Sequence, residues 1–234
     1  MILLDYSLLA GVVGISGYML SKIHLPRPRI NSPYILYCGN ISFNMKLTPH
    51  ILVSGLSGQG KSKFVESLLM NRDDIKVTLL NVFRDDMRGL KCRRINSLCD
   101  IKNFLELLLD VPSDIPEYIV IDELLALSIA DKSITKTITK ILAVARHYNK
   151  FLICISQSAT KEEVGSKQLF NTRVCFRMVD HSSYQTILGY SPEDKQLNIR
   201  EFYYLSDKQG RGKVPEIKSW GEWRRRVKGS KREE

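Results

Sequence analysis

His50-Ile51-Leu52-Val53-Ser54-Gly55-Leu56-Ser57-Gly58-Gln59-Gly60-Lys61-Ser62, continuing as KFVESLLM over 63–70, is the stretch that decides the fold. A short apolar run with strand character meets a glycine-rich turn. The turn then opens a helical pattern with apolar residues at 64, 65, 68 and 69. Residues 55–62 fit G-x-x-x-x-G-K-[ST], and a strand before and a helix after are the context the pattern requires. In such a loop the glycines let main-chain N–H groups of Gly55, Leu56, Ser57, Gly58, Gln59 and Gly60 turn inward around a polyphosphate such as that of ATP. Lys61 supplies a point charge to the outer phosphates, and the Ser62 hydroxyl can ligate Mg²⁺. The competing reading is a glycine-rich turn that binds nothing. The lysine, the serine and both flanks weigh against it.

Downstream, Tyr118-Ile119-Val120-Ile121 runs straight into Asp122-Glu123. A buried parallel strand ending in aspartate delivers that carboxylate to the sheet edge where phosphates sit, ready to hold Mg²⁺ directly or through water. Glu123 is then placed to polarise an attacking water, the work of a general base. Alternatively the two acids cap the next helix, LLALSIA. A third apolar run, FLICIS over 151–156, ends in Gln157. An amide there can sense the terminal phosphate or orient water, or else satisfy its own loop. Arg146 ends the helical pattern ITKILAVARHYNK. It either crosses a subunit boundary to a neighbour's transferring phosphate or simply complements a helix C-terminus. Arg173 and Arg177 share one face of RVCFRM and are weaker candidates for the same work.

Around these motifs, strand-like and helix-like segments alternate. Strand character falls on 34–38, 50–55, 77–83, 117–122, 151–156 and 173–178. Helical patterns fall at about 61–71, 99–110, 132–148, 162–170 and 181–188. Near-continuous apolar runs suit strands buried on both faces of a parallel sheet. The alternation predicts an α/β, three-layer fold with a mainly parallel sheet.

Composition bounds the partners. The 234 residues are 44% hydrophobic and 26% charged, enough to build a core. The formal net charge of +10 implies an anionic partner without choosing among nucleic acid, phosphate ligand and acidic membrane. Five cysteines at 38, 92, 99, 154 and 175 form an odd set with no CxxC pair, which argues for a reducing compartment. The histidines at 24, 50, 147 and 181 lack metal-ligand spacing. No Asn-Lys-x-Asp motif marks a guanine-specific switch.

The two ends differ from the middle. Residues 1–20, MILLDYSLLAGVVGISGYML, carry one charge, Asp5, before Lys22, His24, Arg27 and Arg29. Twenty helical residues span roughly 30 Å, the hydrocarbon thickness of a bilayer. The basic C-terminal flank puts the rest of the chain on the cytoplasmic side. The segment lacks the basic n-region and small-x-small site of a secretory signal. Residues 1–22 therefore read as a transmembrane anchor and 23–33 as a basic, proline-containing linker. Residues 34–218 form the nucleotide-binding body and 219–234 a basic tail. From 211 to 234 nine basic residues face four acidic ones, with Trp220 and Trp223 beside the Arg224–Arg226 run. Such a segment grips phosphates without sequence preference, or is a solvated end.

Taken in order, GLSGQGKS, YIVIDE, ARHYNKFLICISQS and FNTRVCFRMVDHSSYQTILG resemble the FtsK/HerA superfamily of P-loop ATPases that move DNA. That superfamily includes chromosome translocases, conjugative coupling proteins and viral packaging ATPases. The resemblance spans about residues 34–218. It implies a RecA-like core with an extra strand between the two nucleotide motifs and Mg²⁺-ATP as substrate. It also implies a homo-hexameric ring with ATP at subunit interfaces and DNA in the pore, held through its backbone. Cellular FtsK proteins have several membrane helices, a larger motor and a terminal winged domain. The chain departs from these in its single candidate span, its smaller motor and Val82-Phe83-Arg84-Asp85-Asp86, where an Asp-Pro-Lys turn is more usual. These departures fit a phage or mobile element moving its own genome, in a host or virion membrane. Two alternatives stand beside that expectation: an assembly or secretion ATPase acting on protein, and a non-catalytic, membrane-tethered nucleic-acid binder.

Overall fold

The computed structural model describes residues 32–82, 87–157, 167–192 and 196–216. The chain divides into two units, Met1–Ile30 and Asn31–Glu234. The first lies outside the described residues, and with it the expected anchor at 1–22. Among the described residues no helix is long and apolar enough to cross a membrane.

Three strands are buried almost throughout: β3 (Ile51–Ser54), β6 (Glu117–Ile121) and β7 (Lys150–Ser156). Strand side chains alternate between faces, so each run feeds two cores at once. Leu52, Ile119, Ile121, Leu152 and Cys154 enter one apolar cluster; Ile51, Val53, Tyr118, Val120, Phe151, Ile153 and Ile155 enter the other. Helices cover the first cluster. They are α2 (Leu98–Leu107), α3 (Leu124–Ala130), α4 (Lys132–Val144) and α5 (His181–Leu188). Their apolar stripes, Ile134, Ile138, Ile141 and Leu142 on α4 for example, join that core. The second cluster is covered by α1 (Lys61–Leu69) and by a hairpin of β1 (Ile35–Cys38) and β2 (Ile41–Asn44). The expected three-layer α/β architecture is present.

The remaining strands are β4 (Lys76–Leu80), β5 (Arg93–Ile95), β8 (Thr172–Cys175), β9 (Glu201–Leu205) and β10 (Gln209–Lys213). The sheet runs β10-β9-β8-β3-β7-β6-β4-β5. From β8 to β5 all neighbours are parallel, while β9 and β10 pair antiparallel. Strand β7 lies between β3 and β6, which is the inserted strand that the resemblance implied.

Three differences from the sequence reading have physical causes. The apolar run at 34–38 belongs to the separate β1–β2 hairpin, paired Ile35 to Asn44 and Cys38 to Ile41. It roofs the core with Leu36, Cys38 and Phe43 rather than joining the main sheet. The helical pattern 132–148 breaks after Val144 into a 3₁₀ turn, Ala145–Tyr148, closed by Asn149 at φ 59°. The strand expected over 173–178 stops at Cys175: the Phe176 N–H still bonds the Ser54 carbonyl, but the register then slips by one residue, Leu56 N–H donating to the Arg177 carbonyl. The helix expected at 162–170 lies largely outside the described residues; of it, Lys167–Leu169 form a 3₁₀ turn.

Candidate functional site

Parallel strands place their C-terminal ends at one sheet edge, and a ligand settles there in the crevice the strand order creates. Four adjacent strands deliver chemistry to that edge. Strand β3 leads into Gly55–Ser62, β7 into Gln157, β6 into Asp122-Glu123 and β4 into Asn81.

The loop owes its shape to glycine. Gly55, Gly58 and Gly60 have φ of 149°, 76° and 106°, a region that side-chain-bearing residues avoid. Gly55 also has no room for a side chain, since a Cβ there would lie 2.5 Å from the Cβ of Phe176. Below the loop, Phe64 sits edge-on to Phe43, Phe176 and Phe202, with ring centroids 5.0–6.0 Å apart. This aromatic floor fixes the turn between β3 and α1. Lys61 is nearly buried, and its ammonium donates to the carbonyls of Gly55 at 2.6 Å and Leu56 at 2.9 Å. The cation is thus held inside the curl of the loop, where its charge faces any phosphate that enters.

At the end of β6, Asp122 is 8% exposed and accepts from Asn81 Nδ2 at 3.1 Å. Glu123 begins α3 with φ and ψ both 67°, an uncommon conformation for a non-glycine residue. Its carboxylate accepts a short hydrogen bond from the Gln157 amide. The two residues proposed from sequence as water activator and phosphate sensor therefore touch, across adjacent strands β6 and β7.

The loop and its surroundings suit a nucleotide with its magnesium ion. Among the described residues a Cβ on Gly58 would meet nothing within 4 Å, so the crest of the loop is open there. Among the described residues, the buried Ser54 hydroxyl and the Gln59 side-chain oxygen have no hydrogen-bond partner. Ser62 and Asp122 offer the hard oxygen donors magnesium takes. A cleft of about 650 Å³ lies elsewhere, between β5, α2 and the opposite ends of β6 and β7. It includes none of the loop residues.

Other candidates fall away from this edge. Arg146 lies in the exposed 3₁₀ turn that precedes β7, so it stands at the opposite edge from the phosphate loop of its own chain. Arg173 is half-buried and donates to the Phe170 and Ile187 carbonyls, a structural role. Arg177 is exposed beside the loop that its carbonyl holds. His50 is buried at the start of β3, where its Nδ1 accepts from Leu152 N–H at 3.0 Å. The tail at 219–234 and residues 83–86 lie outside the described residues.

Sequence reasoning passed over two residues here. Asn81 ends the apolar run VTLL just as Asp122 and Gln157 end theirs, and that shared signal could have found it. Arg200 had no sequence signal; its N–H donates to the Gln59 carbonyl at 3.0 Å.

Fold and site together define a P-loop nucleotide-hydrolase architecture. No family model matches the chain, and no curated protein matches it in sequence. Solved structures do. The pCW3 conjugation coupling protein TcpA, in its monomer form with ATPγS, is similar with a TM-score of 0.67 at 17% identity. That match covers 79% of this chain and 66% of TcpA. The cytoplasmic domain of the Thermomonospora curvata type VII secretion ATPase EccC matches with a TM-score of 0.59 at 17% identity, over 82% of this chain and 30% of EccC. The genome packaging NTPase B204 from Sulfolobus turreted icosahedral virus 2, in complex with sulfate, matches with a TM-score of 0.52 at 13% identity. It covers 73% of this chain and 98% of B204. The chain thus shares its fold with these proteins, and it spans slightly less than two thirds of TcpA and under a third of EccC.

Proposed function

We propose that this chain is a membrane-anchored ATP hydrolase that couples turnover to movement of DNA, packaging or transferring the genome of a phage or mobile element. The observation that carries the hydrolase reading is the contact between Glu123 and Gln157 on the strands beside the lysine-bearing loop. A binding-only site needs the loop; it has no use for a carboxylate and an amide joined at the same edge.

On this reading, loop N–H groups and Lys61 hold the phosphates of ATP, and Ser62 and Asp122 hold magnesium. Magnesium held there would supply positive charge against the transferred phosphoryl oxygens. Glu123 accepts a proton from the attacking water once Gln157 releases or reorients it. Gln157, at the end of β7, carries the state of the site into the sheet. The placement of Arg146 at the far edge of its own chain is compatible with service at a neighbour's nucleotide, within a ring of identical subunits. DNA as cargo is supported by the net charge of +10 and by the likeness to a conjugation coupling protein and a packaging NTPase. Residues 1–22 tether the motor to a membrane, with the body on the cytoplasmic side.

A second reading has its own support. EccC is described as a type VII secretion ATPase, and a related structure of its ATPases 2 and 3 holds a signal sequence peptide. Protein is then the cargo. ATP turnover by the full-length protein, with and without duplex DNA at low salt, separates the two. We expect Lys61→Ala and Glu123→Gln each to cut turnover by at least about a hundredfold and DNA to stimulate the wild type. Unchanged turnover in both variants refutes the site, and indifference to DNA favours protein cargo. Removing residues 1–22 should release the protein from the membrane fraction; unchanged fractionation rules out the anchor.

A further inference from the structure

Arg200 is clamped onto the phosphate loop by its backbone while its guanidinium is left for other work. It precedes β9, which pairs antiparallel to β8 with Cys175 opposite Tyr203. That register brings residue 200 to the same sheet edge as Gly55–Ser62. Its N–H donates to Gln59 O, and its carbonyl accepts from Val214 N–H at 2.9 Å. The side chain lies against the start of α1, where a Cβ on Gly60 would come 3.2 Å from Arg200 Cγ and 3.4 Å from its Cα. The backbone holds φ at 71°, uncommon for arginine and maintained by these flanking contacts.

The guanidinium itself is weakly engaged. It pairs with Glu216, 3.6 Å away, and the two side chains are 36% and 70% exposed. Ion pairs that open to water contribute little. A polyphosphate arriving at the loop brings several negative charges to a guanidinium already positioned beside it, and arginine pairs well with phosphate oxygens.

Direction follows from the strand order. Asp122, Glu123 and Gln157 lie on the β7 and β6 side of β3, so the reacting end of the nucleotide belongs there. Arg200 comes from the β8 and β9 side. A phosphate chain crossing the loop from one flank to the other leaves past Arg200. We infer that Arg200 binds the α-phosphate and nucleoside end of the nucleotide, and that Glu216 holds its guanidinium when the loop is empty.

This rests on the nucleotide-site reading above, and the test keeps the two apart. Fluorescent-analogue titration of the full-length protein gives dissociation constants for ATP and ADP in the wild type, Lys61→Ala, Arg200→Ala, Arg200→Lys and Glu216→Ala. We expect Arg200→Ala to weaken ATP and ADP alike by about tenfold, with the KM for ATP rising in the same proportion. Arg200→Lys should recover part of the loss. Glu216→Ala should tighten binding by about two- to threefold, a gain that a merely structural role for Arg200 does not produce. Wild-type binding that Lys61→Ala abolishes and Arg200→Ala leaves intact overturns the inference and spares the site. A loss confined to ATP also overturns it, since it moves Arg200 to the γ-phosphate. Absence of wild-type binding removes both.

Discussion

Two glycines of one loop face opposite demands. Gly55 combines a positive φ with the Cβ of Phe176 2.5 Å and its Cα 3.2 Å from where a Gly55 Cβ would be, whereas Gly58 has the same backbone hand and open space among the described residues. Gly58→Ala should cost only the left-handed strain, about 1–2 kcal/mol. Gly55→Ala adds a collision that Phe176 cannot escape without disturbing Phe64 and Phe202, and should cost about 3 kcal/mol or more. Urea unfolding of the two variants, with nucleotide binding alongside, checks the order; equal losses contradict it. At this scale the sequence was informative where a polar residue ends an apolar run, although Asn81, which ends one too, was passed over. Asp122, Glu123 and Gln157 were legible for that reason and do converge. Arg200 was not legible, because its place depends on the antiparallel return of β9, and no local pattern announces that return.

Among the elements, the strands buried on both sides could be read directly, since β3, β6 and β7 have no solvent face to interrupt their apolar runs. Strand β10 could not. Its sequence QGRGK has no apolar alternation, and it is a strand because β9 pairs with it and its glycines admit neighbours. A Cβ on Gly212 would meet Ile41 at 2.3 Å and Phe202 at 2.6 Å. The join between β3 and β7 holds a pH-sensitive group. Burial pushes the His50 imidazole from 6.5 down to about 4, with the Leu142 backbone pulling the other way and the Arg146 charge assisting. Because the folded state resists the proton, the unfolded chain binds more of it between those values. Stability is therefore fully present above pH 6.5 and falls as pH drops toward 4, by up to about 3 kcal/mol. Urea unfolding at pH 7 and pH 4.5 should show the loss. His50→Asn, which tolerates the φ of 66° at this position, should flatten it. A slope unchanged in the variant would exclude His50 as its source.

At the scale of the whole molecule, each chain carries its nucleotide loop on one edge of the sheet and Arg146 on the other. A site completed by a neighbour makes a specific demand on mixtures. Arg146→Ala alone should bind ATP normally and turn it over at least about a hundredfold more slowly. Lys61→Ala alone should fail to bind. Co-assembled, the second variant supplies an intact arginine to the first, and turnover should return to a measurable fraction of wild type. Mixtures no more active than either parent would show that Arg146 does not act across subunits.

If residues 1–22 anchor the protein as proposed, the way residues 32–35 enter the body decides where a pull from the preceding chain is received. Arg72, just beyond α1, donates to the carbonyls of Ser32 at 2.8 Å and Ile35 at 3.0 Å, and the Tyr118 hydroxyl donates to Pro33 O at 2.7 Å. A tug arriving through the preceding chain is thereby shared between the far end of that helix and the first turn of pleat in β6. Both lie remote from the loop. On that reading a pull would be received at the C-terminal end of α1 and the start of β6, the ends of those elements opposite the loop.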